Sequence, residues 1–111
     1  MLVASRMLTL REGNSDVSIP IRVFVPELTS TGAWACRYEI GWPDTPSAKE
    51  ICGFDSMQAL VLALQVIGAE VYSSSYHEAG TLYLQDPGKG YGFPVAPTLR
   101  DLLIGDDAKF F

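Results

Sequence analysis

The stretch DSMQALVLALQVIGAEVY, residues 55–72, decides the fold that we expect for this chain. Its apolar residues cover most of the circumference of a helix, which would be about 25 Å long at the usual rise per residue. Asp55 or Ser56 supplies the side-chain oxygen of an N-cap, and three serines follow Tyr72. The pattern predicts one long helix, and Gly68 within it predicts a close approach by another backbone segment.

The segments around this helix have the two-residue period of strands. Pro20 lies in the second of them and lacks an amide donor, so we expect that strand to be an edge or to carry a bulge. Strands that precede a helix favour an α+β fold: an antiparallel sheet of four to five strands, one long helix across one face and a short C-terminal helix at residues 99–104. The predicted strands are residues 2–11, 16–25, 33–42, 49–54 and 81–85.

Length and charge limit the function classes. A chain of 111 residues is predicted to form a single α+β domain, residues 1–111, with a core of its own. It is acidic, with a net charge of -5, which argues against nucleic-acid binding because phosphate contacts need clustered Lys and Arg. Residues 1–42 carry as many basic as acidic side chains, so the negative charge belongs to residues 43–111. A basic partner surface would complement that part of the chain.

Targeting signals and ligand-binding residues are sparse. The first ten residues do not resemble a signal peptide, and residues 59–69 are too few for a membrane span, so we expect a cytoplasmic protein that does not interact with membranes. Cys36 and Cys52 are expected to be buried free thiols, although a disulfide between them stays open. One histidine and two cysteines make a zinc site improbable, and we expect neither metal nor cofactor.

Three short patterns resemble functional motifs but have simpler interpretations. The glycine-rich loop at residues 86–94 lacks phosphate-loop spacing, and we expect a turn that carries Phe93 into the core. His77 is expected to be a solvated loop histidine, and Asp106 and Asp107 a solvated acidic pair. No catalytic residue is therefore assigned.

The motifs W-x-C-x-Y-x-I from Trp34, DS-x-QAL-x-LAL-x-x-IG from Asp55 and GFP from Gly92 together define a resemblance. A chain with these motifs in this order is similar to a family of small uncharacterised bacterial proteins, a domain of unknown function. The resemblance implies bacterial origin and α+β architecture, and it supplies no catalytic residue.

Two surfaces are candidate interfaces. The first is the outer face of the sheet, where arginine and aromatic side chains of the kind enriched at binding sites alternate outward: Arg22, Phe24, Arg37, Glu39 and Tyr83. An ordinary solvent-facing sheet surface is the alternative. The second is the back of the long helix, which needs a cover from the C-terminal segment or from a second subunit: Gln58, Val61, Leu62 and Gln65.

These observations predict a small non-catalytic bacterial protein that acts by protein–protein binding and forms a homodimer. One version is an immunity or antitoxin-like role, in which an acidic surface masks a basic toxin. The alternative is a small-molecule-binding protein or enzyme with a pocket between sheet and helix, lined by Trp34, Tyr38, Trp42 and Tyr91.

Overall fold

A computed structural model describes residues 1–111. The fold is α+β, as predicted, with an antiparallel sheet, one long helix packed against it and a short C-terminal helix. Two of the six strands contain only two residues: β6 lies within the predicted strand at residues 81–85, whereas β3 lies between two predicted strands and was not predicted. The elements are β1 Leu2–Glu12, β2 Ser15–Phe24, β3 Glu27–Leu28, β4 Trp34–Ile40, β5 Ser47–Gly53, α1 Ser56–Tyr72, α2 Ser75–Glu78, β6 Leu82–Tyr83, a 3-10 turn Pro97–Leu102 and α3 Gly105–Phe110.

The sheet has the order β3-β4-β2-β1-β6, and β5 pairs with β4. β2 is therefore an interior strand, so of the two alternatives predicted from Pro20, an edge or a bulge, the edge is wrong. The ladder between β2 and β4 begins only at Ile21, opposite Ile40, and beyond it the Pro20 carbonyl accepts a 2.8 Å hydrogen bond from Gly41 N. Pro20 thus lies one residue beyond the ladder, where its carbonyl accepts a hydrogen bond from β4's continuation and the ring takes the place of a donor. A Cβ at Gly41 would lie 2.8 Å from the proline ring, which explains the glycine opposite it.

The chain divides into two compact units: residues 1–6 with 20–64, and residues 7–19 with 65–111. The prediction of a single domain stays a prediction. In the first unit the buried side chains include Ile21, Val23, Cys36, Tyr38, Ile40, Trp42, Ala59 and Ala63. In the second they include Leu8, Leu10, Ile19, Ile67, Val71, Tyr72, Leu82, Tyr91, Phe93, Val95 and Leu103.

Helix α1 begins with the predicted cap. Asp55 Oδ1 accepts a 2.7 Å hydrogen bond from the Gln58 amide, and the Gln58 side chain accepts another from the Phe54 amide, also at 2.7 Å. This is a variant of the reciprocal capping box, in which side chains satisfy amides at the helix N-terminus. Later in α1, a Cβ at Gly68 would overlap the carbonyl of Pro94, so the expected close approach is confirmed.

The C-terminal segment departs from the sequence-based prediction. The expected helix at residues 99–104 is a 3-10 turn, Pro97–Leu102, whose end is extended at Leu103. The helix instead forms at Gly105–Phe110, a segment that contains the predicted solvated pair Asp106 and Asp107. Its position is set by a buried aspartate, described below, which a local pattern does not reveal. None of the helices has both the length and the apolar character needed to cross a membrane.

Candidate binding surface

Strand register places the predicted outer-face residues in the first unit together. Arg22 on β2 lies opposite Glu39 on β4, and Arg37 lies opposite Glu50 on β5. Directly opposed residues of an antiparallel pair point to the same face, and side chains two apart along a strand do so as well. Arg22, Phe24, Arg37 and Glu39 therefore share one face, and all four are exposed or half-buried. The residues between them face the other way and are buried.

A groove of about 340 Å³ lies beside β3 in the first unit, where it is lined by residues of this face and by Leu28, which is opposite Trp34 and belongs to the other face. Three of the apolar side chains that line it are well exposed: Met1 by 91%, Leu28 by 61% and Val25 by 38%. Exposed apolar residues that adjoin one another, bordered by charge, are typical of protein-binding patches. The complete lining is Met1, Phe24, Val25, Glu27, Leu28, Thr29, Ala35, Arg37 and Glu50.

The charges beside the groove favour a basic partner. Arg37 Nη2 and Glu39 Oε2 form a 2.9 Å ion pair whose side chains are 48% and 34% exposed, so it contributes little to stability. Glu27 and Glu50 also line the groove. Opposed residues Glu27 and Ala35 in the β3–β4 ladder place Glu27 on the same face. Acidic side chains thus outnumber the arginines, and the groove can accept an apolar side chain flanked by Lys or Arg.

Tyr83, the fifth residue of the predicted outer face, lies in the second unit. Its hydroxyl donates a 3.4 Å hydrogen bond to Asp16 Oδ2, and Arg11 Nε donates a 2.9 Å bond to Asp16 Oδ1. The hydrogen bond with Tyr83 and the neighbouring Asp16 carboxylate raise the pKa of Arg11. These three side chains form a polar cluster at the hairpin between β1 and β2.

The predicted back of helix α1 is only partly exposed. Val61 is 51% exposed, whereas Gln58, Leu62 and Gln65 are half-buried. Gln58 is engaged in the helix cap. Phe110, in the C-terminal segment that is one of the two predicted covers, is 76% exposed. Val61 therefore remains an apolar surface residue of the single chain.

A buried carboxylate network organises the second unit. Asp107 is only 2% exposed, so the prediction of a solvated acidic pair is wrong for this residue. Its carboxylate accepts hydrogen bonds from the Tyr72 hydroxyl at 2.6 Å and from the amides of Tyr91 and Gly92 at 2.8 Å each. Three donors compensate the cost of burying the charge. A Cβ at Gly90 would lie 2.6 Å from the carboxyl carbon, so this glycine makes room for the carboxylate.

The same contacts explain the glycine-rich loop. Two loop amides, those of Tyr91 and Gly92, already bind the Asp107 carboxylate, so the protein itself occupies the anion-binding position of the loop. Phe93 is 4% exposed, which confirms the predicted turn into the core. A cavity of about 220 Å³ beside the loop is smaller than the roughly 300–1,000 Å³ usual for small-molecule sites.

His77 belongs to this network and is half-buried, so the prediction of a solvated loop histidine is wrong. Its Nδ1 lies 2.5 Å from the Tyr91 hydroxyl, and its ring meets Tyr72 edge-on at 5.0 Å between centroids. Burial, with the charge of Asp107, raises the pKa of Tyr91 to about 12; burial and the hydrogen bond to Asp107 raise the pKa of Tyr72 as well. Both tyrosines stay protonated at neutral pH, and the cluster is a structural network without a phenolate nucleophile.

The two cysteines differ in environment. Cys36 is buried, its thiol donates to the Phe24 carbonyl at 3.3 Å, and burial raises the pKa of the thiol, as expected. Cys52 is exposed, which corrects the expectation that both thiols are buried. Cys52 lies opposite Ala35 on β4, and Ala35 is two residues from Arg37 on the same strand. Cys52 is therefore on the outer face with Arg37. Both thiols are free.

Seven groove residues were absent from the candidates that sequence reasoning selected: Met1, Val25, Glu27, Leu28, Thr29, Ala35 and Glu50. Residues 26–32 lie between the predicted strands 16–25 and 33–42, and a two-residue strand is too short for periodicity to detect. The available signal was Leu28 itself, an apolar side chain within a polar segment and two residues after a proline.

The fold and this surface together describe a small α+β protein with an exposed, partly apolar sheet face. Residues 4–95 match the family described as Domain of unknown function (DUF6968), and the chain belongs to that family. This agrees with the predicted membership of an uncharacterised-domain family. No curated protein matched the chain, and no solved structure matched it either.

Proposed function

We propose that this is a small non-catalytic bacterial protein that acts by binding another protein through the groove beside β3 in its first unit. The observation that carries the proposal is the groove in which Met1, Val25 and Leu28 stand exposed between charged side chains. Exposing apolar side chains to water in a soluble chain is unfavourable, and covering them with a partner recovers roughly 25 cal/mol per Å² buried.

The partner chemistry follows from the charges. Glu27 and Glu50 line the groove together with Arg37, whose charge is offset by its ion pair with Glu39. Such a field accelerates encounter with a basic partner and repels acidic ones. A partner segment with an apolar anchor and neighbouring Lys or Arg fits both features. An immunity or antitoxin-like role, in which this face masks a basic toxin, is the concrete version.

The test uses the product of the gene adjacent to the one encoding this chain, expressed with it and measured by calorimetry. Leu28→Asp should weaken binding by about tenfold to a hundredfold, since it removes a buried leucine contact worth roughly 1.5–3 kcal/mol and adds a charge. Leu102→Asp is the matched control, because Leu102 is also exposed, by 42%, but lies outside the groove. Equal affinity of both variants for a neighbour-encoded partner, or the absence of binding by that partner, would contradict the proposal.

A further inference from the structure

Strand β1 presents an open edge over its first half. β6 pairs with β1 only at Thr9 and Leu10, and the Arg11 amide bonds to Thr81 just beyond. In the sheet, β1 has β2 on one side and this two-residue strand on the other. From Leu2 to Leu8 the β6 side of β1 therefore carries no strand.

The composition of this edge is unusual for a surface strand. Residues 2–7 read LVASRM, with one charged residue, and the large apolar side chains are exposed: Leu2 by 47%, Val3 by 47% and Met7 by 54%. Proteins normally protect an edge with charges, prolines or short strands, because an open apolar edge pairs readily with another chain. The β5 edge follows that rule, since Lys49 and Glu50 are both exposed on it.

We propose that the first half of β1 pairs antiparallel with the same segment of a second copy, joining the two sheets across a twofold axis. A twofold axis brings a segment against itself, so the segment must be self-complementary, and an apolar stretch without acidic residues satisfies that condition. Residues 1–8 carry one charged side chain, that of Arg6, so little like-charge repulsion opposes the approach of a second copy along this segment.

The pairing is independent of the proposed partner, because it uses the backbone edge of β1 and not the groove around Leu28. Strand addition of this kind obtains its affinity from main-chain hydrogen bonds and its specificity from alternate side chains. The apolar side chains of residues 2–7 would come to lie beside their counterparts in the second copy and lose contact with water.

Light scattering on the purified chain tests the pairing. At tens of micromolar we expect twice the 12.1 kDa mass of one chain. Ser5→Lys places a charge in the middle of the edge, at an exposed position, and should weaken the dimer roughly tenfold or more. Val61→Lys is the matched control: Val61 is 51% exposed on α1, and this variant should remain dimeric. Leu28→Asp should also remain dimeric, which separates this proposal from the groove proposal.

Hydrogen exchange of the unmodified chain gives a second measurement that does not depend on how Ser5→Lys folds. The amides of residues 2–8 that point to the β6 side, as the Arg11 amide does, should exchange more slowly at high protein concentration than at low concentration, while those of β5 should not change. A monomeric mass, a dimer that persists in a folded Ser5→Lys variant, or exchange at residues 2–8 that is independent of concentration would overturn the inference. Loss of the dimer in Val61→Lys alone would assign the interface to the helix.

Discussion

The Asp107 network yields the sharpest stability prediction. In Asp107→Ala, the Tyr72 hydroxyl and the amides of Tyr91 and Gly92 lose their acceptor at once. A hydrogen bond to a charged group contributes about 1.5–3 kcal/mol, but the variant also escapes the cost of burying a carboxylate, so we expect a net loss of about 3–5 kcal/mol. A domain with a typical unfolding free energy of about 5–15 kcal/mol would then be severely weakened.

Urea denaturation followed by circular dichroism measures this loss as a lower midpoint at an unchanged slope. Asp107→Asn should fall between Ala and the original residue, because its amide oxygen still accepts hydrogen bonds while its NH2 group meets a donor. Asp106→Ala is the control: its side chain is exposed, and its removal should change the unfolding free energy by less than about 0.5 kcal/mol. If Asp107→Ala and Asp106→Ala unfold at the same urea concentration, the carboxylate does not hold this unit together.

Three further predictions use other contacts. The pKa of Tyr91 is about 12 in the folded chain and near 10 in the unfolded chain. The stabilisation that Tyr91 contributes should therefore be complete below pH 10 and be lost as the pH rises from about 10 to about 12. Urea titrations at several pH values should show a smaller loss for Tyr91→Phe. Gly68→Ala should destabilise the chain in thermal unfolding, although alanine is the better helix former by about 1 kcal/mol, because the added Cβ would overlap the Pro94 carbonyl; an increased melting temperature would contradict this. Cys52 should react with a thiol reagent in the native protein and Cys36 only after unfolding, as followed by mass spectrometry on the Cys52→Ser and Cys36→Ser variants.

Periodicity predicted the parts of the fold whose cause is local. Helix α1, its cap at Asp55 and the strict alternation of β4 follow from neighbouring residues, and the structure has all three. The outer face could be predicted as well, because alternation along β2 and β4 separates Arg22 and Arg37 from the buried residues next to each of them on its own strand.

The remaining features depend on contacts between residues far apart in sequence. Asp107 is buried because it meets amides sixteen and fifteen residues away, and nothing adjacent to it distinguishes it from Asp106. Pro20 suggested an edge because a missing amide donor is costly inside a ladder. In the structure the ladder between β2 and β4 ends at Ile21, one residue away from Pro20. Strand order and ladder length are set by which segments meet, and a single chain's local pattern does not specify them.

The contact between Asp107 and the loop also bears on where the folding unit ends. The region shared with the family stops at residue 95, twelve residues before the aspartate that holds the amides of Tyr91 and Gly92. A polypeptide truncated at that limit would retain the loop and its glycines but would have to satisfy those donors with solvent. The shortest fragment that folds by itself should accordingly extend through helix α3. A fragment that ends where the family match ends would lack Asp107, the acceptor of the loop amides.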